Sequence, residues 1–394
     1  MKKIFLIPAV VFLVIILVLV KIASSSGSGE QGALKKTPGG SVYKDQVKIE
    51  YSKSFEVEYF DSAKIVKVFS PDKNRTLIFS YLLLPQGKTA PKGFENYQVI
   101  NVPVKSAISL SSIYIGFMER LGILDKLIGV DTYDYIVSPQ AKALIKKNNI
   151  QVVGSTINLN TEKVFAMNPG ILLTYGNGNP VQDGHQKLIQ NGIRVASSTS
   201  HLEITPLARA EWIKFVAVFF DQEKRANEVF DSVKNNYQKL TALASKAGKK
   251  PTVFTDEMYG GKWYEPGGNS FVATMIKDAG GDYVWGSDKS TGSLKLDYEQ
   301  VYEKAHDADV WINVHYWTKK SDVIKADPRY SKFKAYAMNT IFNSRASVNE
   351  FGGNELWESG IINCDVVLAD MIKIFHPELV PEHQFKYYKK LADN

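Results

Sequence analysis

"TPLARAEWIKFVAVFFDQEKRANEVFDSVKNNYQKL", residues 205–240, is the stretch on which the fold turns. Thr205 has a capping side chain, Pro206 suits a first helical turn, and apolar residues then run to Phe220. Asp221 is positioned to cap a second segment, in which Ala226, Val229, Phe230, Val233, Tyr237 and Leu240 share one helix face. The polar "SKAGKKP" that follows ends the helix. What lies on either side gives this block its meaning, because both flanks alternate short apolar strands with amphipathic helices.

Upstream, "YQVINV" precedes a helix near Ser111 to Leu121, which Gly122 stops. "LIGV", "QVVG", "GILLTY" and "IRVAS" follow, with helical segments between most of them. Downstream come "TVFTDEMY", a helix from Phe271 to Ala279, "DYVW", a helix from Tyr298 to Ala305 and "DVWINVHYW". A helix from Pro328 to Tyr336, "NTIFN" and a closing helix from Asn363 complete the series. Such alternation predicts parallel sheets covered by helices. The expected fold class is therefore α/β, with two Rossmann-like lobes of mostly parallel sheet joined by a long helix. The N-terminal lobe is placed at 46–204, the linking helix at 205–247 and the C-terminal lobe at 248–394. Between 46 and 86, "FEVEYF", "KIVKVF" and "LIFSYLLL" predict a small antiparallel sheet at the front of the first lobe.

A length of 394 residues agrees with two globular units. "MKK" precedes an uncharged run from Ile4 to Val20, which reads as an uncleaved membrane anchor over residues 1–21, with a cleavable signal as the alternative. The lysine balance places the N-terminus inside and exports the rest of the chain to the cell surface or periplasm. The Ser/Gly-rich residues 22–45 then predict a tether. The formal net charge is +7, but the lysines are scattered among acids, so nucleic acid is not an expected partner. The single cysteine, Cys364, excludes an intramolecular disulfide and reads as a packed thiol.

Catalytic signatures are missing: the sequence has no G-x-S-x-G elbow and no H-E-x-x-H helix. "GGKWYEPGGNS", residues 260–270, fails as a phosphate loop because Trp263 follows Lys262 where Ser or Thr is needed. Its trailing glycines shape a turn into a helix capped by Asn269 or Ser270, which leaves Trp263 and Tyr264 as a candidate groove wall. Of the six histidines only His201 and His315 fall at strand ends, so no bound metal and no cofactor are expected. In parallel α/β sheets ligands sit beyond the carboxyl ends of strands, here "VDTYDYI", "TYGNGNP" and "SSTSHLE". Arg345, beside a Gly-Gly-Asn stretch, can meet a carboxylate, catecholate or phosphate in two-point fashion.

The order "LGILDKLIGV", "VVGSTINLNTEKVFAMNPGILL", "NGIRV", "AGGDYVWGSD" and "LKLDYEQVYEKAHDADVWI", closing with "FNSRASVNEFGGNELWESGIINCDVVLADMIKIFHPEL", resembles substrate-binding proteins of ABC importers. The branch it is similar to handles iron–siderophore, haem and cobalamin complexes. The resemblance implies a ligand held between two lobes and delivered to a permease and its ATPase, with no catalysis. Together with the strand-end, aromatic-cluster and Arg readings above, this puts the expected ligand site at Tyr133, Tyr135, Tyr175, Trp263, Tyr264, His315, Trp317 and Arg345. The resemblance also implies transporter docking through Glu162 and Glu299, which match the exposed acids that relatives offer to permease arginines. Two departures stand out: Pro169-Gly170 replaces the usual Pro-Asp, and the helix at Cys364 lacks a Pro. The expected ligand is an iron–siderophore complex, with cobalamin, another corrinoid or haem as the alternative. From other classes, a membrane-anchored hydrolase would need an acid pair in the groove, and a purely structural surface protein would bind no cleft ligand.

Overall fold

The structure, a computed structural model, describes residues 34, 43–71, 74–148, 150–177 and 185–393. The expected anchor at 1–21 and most of the tether at 22–45 lie outside the described residues. Among the described residues no helix is long and apolar enough to cross a membrane.

The first sheet contains β1 (Phe55–Tyr59), β2 (Lys64–Phe69), β3 (Leu77–Pro85) and β4 (Gln98–Val102) in that order. β1, β2 and β3 pair antiparallel, while β4 runs parallel to β3. The sheet is therefore mixed, and "YQVINV" belongs to it instead of opening the parallel series. The physical reason is burial: β4 buries only alternate residues, whereas a central parallel strand must be apolar on both faces. That role falls to β5 (Ala107–Ser109), three residues buried throughout.

Around β5 the first lobe builds a five-stranded parallel sheet with β6 (Leu127–Val130), β7 (Gln151–Val152), β8 (Ile171–Tyr175) and β9 (Val195–Ser198). Its order is β7-β6-β5-β8-β9, so the chain reverses its lateral direction between β5 and β8. The crevice outside their carboxyl ends is the natural ligand position in an open α/β sheet.

The bridging block is helical in three pieces: Pro206–Glu211, Ile213–Ala217 and Glu223–Ala244. Thr205 caps the first as expected, its hydroxyl accepting from Ala208 N at 3.3 Å. Asp221 is not the second cap. It adopts φ +53°, Gln222 takes the cap position, and the Asp221 carboxylate accepts from the buried Lys64 ammonium at 2.6 Å. An ion pair reaching across to β2 thus outcompetes local capping.

In the second lobe β10 (Thr252–Thr255) lies between β13 (Asp282–Tyr283) and β15 (Val310–Ile312), all parallel. Beside them β11 (Met258–Tyr259), β12 (Lys262–Pro266) and β14 (Ser293–Leu296) form an antiparallel sheet. β16 (Phe342–Asn343) and β17 (Lys389–Lys390) pair near the C-terminus. The expected helix from Pro328 to Tyr336 is split into a 3₁₀ turn at Pro328–Lys332 and a short helix at Lys334–Ala337. Between them Phe333 is extended and fully buried, because its ring is drawn into the aromatic core.

Three buried carboxylates tie distant segments down by accepting backbone N–H groups. Glu211 takes those of Glu50, Tyr51 and Ser52, Asp370 takes those of Lys386, Tyr387 and Tyr388, and Glu358 takes those of Val137 and Ser138. The Glu358 pair, at 2.7 Å each, crosses from the second lobe to the first. Beside it helix Glu355–Glu358 packs on helix Ser112–Leu121 so closely that a Cβ on Gly116 would lie 2.1 Å from the Glu358 carbonyl oxygen.

Two outcomes follow from this junction. Gly116→Ala forces the helices apart and should lower stability by about 1–3 kcal/mol in urea titrations, whereas Gly248→Ala, with nothing within 4 Å of the new Cβ, should stay within about 0.5 kcal/mol. Burial pushes the Glu358 carboxyl up to about 7 from 4.5, against the two N–H donors that pull it down. A folded-state pKa above the unfolded one favours the protonated form in the fold. The resulting contribution is therefore full below about pH 4.5 and is lost as pH rises through about 7. Glu358→Gln should remove up to about 3 kcal/mol of the stability decline seen in the wild type across that window. An unchanged pH profile of urea midpoints would refute the assignment.

Candidate ligand-binding cleft

The carboxyl ends of the parallel strands in both lobes open on one cleft of about 520 Å³. From the first lobe β5 delivers Leu110, Ser111 and Ser112, β6 delivers Asp131, β8 ends on Tyr175, and His201 follows β9. From the second lobe β15 leads to His315 and Tyr316, while the segment 344–357 brings Arg345, Gly352, Gly353, Asn354 and Trp357. Leu110 to Ser112 and Tyr175 mark the reversal point between β5 and β8, so sheet topology and side-chain chemistry select the same place.

The second-lobe wall is arranged around Arg345, whose guanidinium stands over the Tyr316 ring at 5.1 Å. His315 is held by two acids: its Nδ1 lies 3.3 Å from Glu257 Oε2 and its Nε2 lies 3.6 Å from Asp256 Oδ1. Its backbone N–H also donates to Glu257. The hydrogen bond to Glu257 raises the His315 pKa above 6.5, with burial and Arg345 opposing. Burial pushes Asp256 up to about 6, although the Thr255 hydroxyl donates to it at 2.7 Å. On the opposite wall, the Tyr175 and His201 rings meet edge to face at 5.9 Å, and burial raises Asp131. Among the described residues no cluster of His, Cys, Asp and Glu is arranged to hold a metal ion.

Of the eight residues that sequence reasoning placed in the ligand site, the structure brings Tyr135, Tyr175, His315 and Arg345 together on the cleft wall. The other four need correction. Trp263 is fully buried, packs with Phe254, Trp311, Tyr330 and Phe333, and donates its indole N–H to Thr255 O at 2.8 Å. It lies on strand β12, not on a strand-to-helix loop, and the loop proper is the Gly260-Gly261 turn between β11 and β12, with φ +59° and +76°. Tyr264 takes the outward face of β12, opposite Lys295 and away from the cleft. Trp317 is buried edge-on against Trp311 at 5.3 Å. Tyr133 is half exposed, but its hydroxyl donates to Ile150 O and its ring lines no part of the cleft.

Missed as ligand residues were Tyr316, 77% exposed, and Trp357, 50% exposed. Ser111, Ser112, Ser155 and the Gly352–Asn354 turn also line the cleft without having been singled out for it. Periodicity could not have found Tyr316, because β15 ends at Ile312 and both Tyr316 and Trp317 lie in the irregular segment beyond it. Glu162 and Glu299 are both exposed in the first turns of helices Thr161–Met167 and Tyr298–Ala305. Glu299 already pairs with Arg329 at 3.3 Å.

An uncharacterized lipoprotein of Methanocaldococcus jannaschii is 29% identical over 367 residues, spanning 87% of this chain and 85% of that one. Among solved structures, a possible iron-binding (periplasmic solute-binding) protein from Staphylococcus epidermidis superposes with TM-score 0.54 at 21% identity, covering 69% of this chain and 98% of its own. A periplasmic heme binding protein from Pseudomonas aeruginosa gives TM-score 0.55 at 18% identity, covering 74% and 99%. These structures share the two-lobed fold. With the periplasmic binding protein family model matching residues 108–347, well over half of its length, the chain belongs to the periplasmic binding protein family.

Proposed function

We propose that this protein captures a metal chelate, an iron–siderophore complex, in the cleft between its lobes and delivers it to an ABC permease at the membrane. The observation that carries this reading is the pairing of Arg345 with exposed aromatic faces. The guanidinium lies over Tyr316 and shares the cleft with Tyr135, Tyr175 and Trp357. Aromatic faces suit the flat rings of a chelating ligand, and a planar cation meets the negative charge of its oxygen donors. The solved structures named above are described as a possible iron-binding protein and a heme binding protein, which supports the reading.

Delivery is assigned in this reading to two exposed acids. Glu162 stands on the first lobe and Glu299 on the second, each exposed at a helix start, and together they offer one acid per lobe to a two-fold permease. The apolar run Ile4 to Val20 is the proposed anchor.

Titration of the full chain with ferric siderophores, haem and corrinoids should quench Trp fluorescence saturably for one of these groups. Trp357→Phe should remove most of the response, and Arg345→Ala should weaken binding by about tenfold or more. Saturable quenching by haem or a corrinoid alone would replace the siderophore assignment, and a flat response to all three would overturn chelate capture. Separately, Glu162→Lys with Glu299→Lys should impair uptake in cells while chelate affinity of the purified protein stays unchanged. Lost affinity, or normal uptake, would remove the docking role.

A further inference from the structure

Behind the second-lobe wall lies a more enclosed cavity of about 200 Å³. It shares His315, Arg345, Asn354 and Trp357 with the cleft, so the two spaces meet at one polar collar. Beyond the collar the walls are apolar. Helix Phe271–Asp278 contributes Phe271, Val272 and Met275, and helix Cys364–Phe375 contributes Cys364, Val367 and Met371. Burial holds the Cys364 thiol well above its ordinary pKa, so it serves here as wall and not as nucleophile.

The collar is built with unusual backbone. Asp256 follows β10 at φ +59° and Asn313 follows β15 at φ +60°. These strands are neighbours, and the sheet order β13-β10-β15 puts the second lobe's own reversal point between them. Left-handed backbone is disfavoured for residues with a Cβ, Asp and Asn tolerate it best, and such strain gathers at ligand sites. Both residues are held from behind. Asp256 N–H donates to Ile312 O at 3.1 Å, Trp311 Nε1 donates to Asp256 O at 2.6 Å, and the Tyr388 hydroxyl donates to Asn313 Oδ1 at 2.8 Å. The collar carries both signs of charge, with His315 paired to Asp256 and Glu257 and Arg345 close enough to His315 to oppose its protonation, so no single sign of inserted group is favoured.

We infer that this chamber is a subsite for one compact, uncharged apolar arm, an aryl ring or a branched alkyl group, of a ligand whose polar body occupies the cleft. The inference rests on the capture reading above for that polar body. The size supports a single ring, since an apolar protein cavity of about 150 Å³ binds benzene. The collar gives the junction between arm and body both donors and acceptors, from Arg345, Asn313 and Asp256. The chamber therefore selects among ligands of similar polar structure by whether they carry such an arm.

The test uses 4-fluorobenzamide, a water-soluble ring with a neutral donor–acceptor head, and acetamide as the control without a ring. The full chain, in lipid discs with methyl-labelled methionine, is titrated and read by NMR. The ring should saturate, binding at least about tenfold more tightly than acetamide. Among the seven methionines it should give nuclear Overhauser contacts to the Met275 and Met371 methyls. Val367→Phe fills the chamber and should abolish those contacts. If that variant does not fold, the wild-type contacts decide alone. Absence of contacts at Met275 and Met371, or contacts unchanged in folded Val367→Phe, overturns the subsite. The probe contains no iron, so if it seats while every chelate fails to quench Trp357, the chelate assignment falls and the subsite stands.

Discussion

The cleft depends on one close approach, that of Gly116 in the first lobe to the backbone of Glu358 in the second. Only a residue without a side chain lets the two helices come this near. The nearness brings the Glu358 carboxylate onto the N–H groups of Val137 and Ser138. The Asn349 amide adds bonds to Asp134 O and Ile136 O. These contacts fasten the loop carrying Tyr135 to the segment carrying Arg345 and Trp357. The two cleft walls are thereby positioned by backbone hydrogen bonds and not by the ligand.

How far the sequence discloses this architecture varies by level. The alternation of strands and helices discloses the two lobes, because buried parallel strands must be short apolar runs and their covering helices must be amphipathic. The cap at Thr205 is legible because its hydroxyl acts within one turn. The break at Asp221 is not, since the partner that takes its carboxylate, Lys64, is far away in sequence. The site shows the same division. "NVHYW" marks the cleft and "GGKWY" does not, and each contains adjacent aromatics of which one turns inward. On β12 that choice depends on register with the neighbouring strand, a long-range property, whereas Tyr316 and Trp317 lie in irregular chain beyond β15. In both pairs the indole turned inward, where Trp311 and Phe254 already formed an aromatic cluster, and the tyrosine turned out. Only at position 316 does the outward ring reach the cleft.

The buried acids explain why the lobes hold their shape without a disulfide. Each of Glu211, Glu358 and Asp370 collects two or three backbone N–H groups from a segment that is neither helix nor central strand. Loops of this kind carry N–H groups that no ladder satisfies, and burying them unpaired would cost more than burying one well-bonded carboxylate. Such acids cannot be recognised from spacing, because their partners lie in irregular chain. Local sequence makes them resemble ordinary surface charges.

The second lobe concentrates its strain and its charge at one level of the sheet. Asp256 and Asn313 leave adjacent strands in left-handed backbone, and His315, Glu257 and Arg345 follow within a few residues of them or across from them. Trp311 and Tyr388, both buried, bond to the two strained residues from the core side. The same aromatic core that removed Trp263 and Trp317 from the cleft therefore braces its polar collar. A rigid collar costs little further ordering when a ligand arrives, so affinity gained from contact is not spent on arranging the protein. The collar thus separates an open cleft of about 520 Å³ with aromatic walls from a more enclosed, apolar-walled chamber of about 200 Å³.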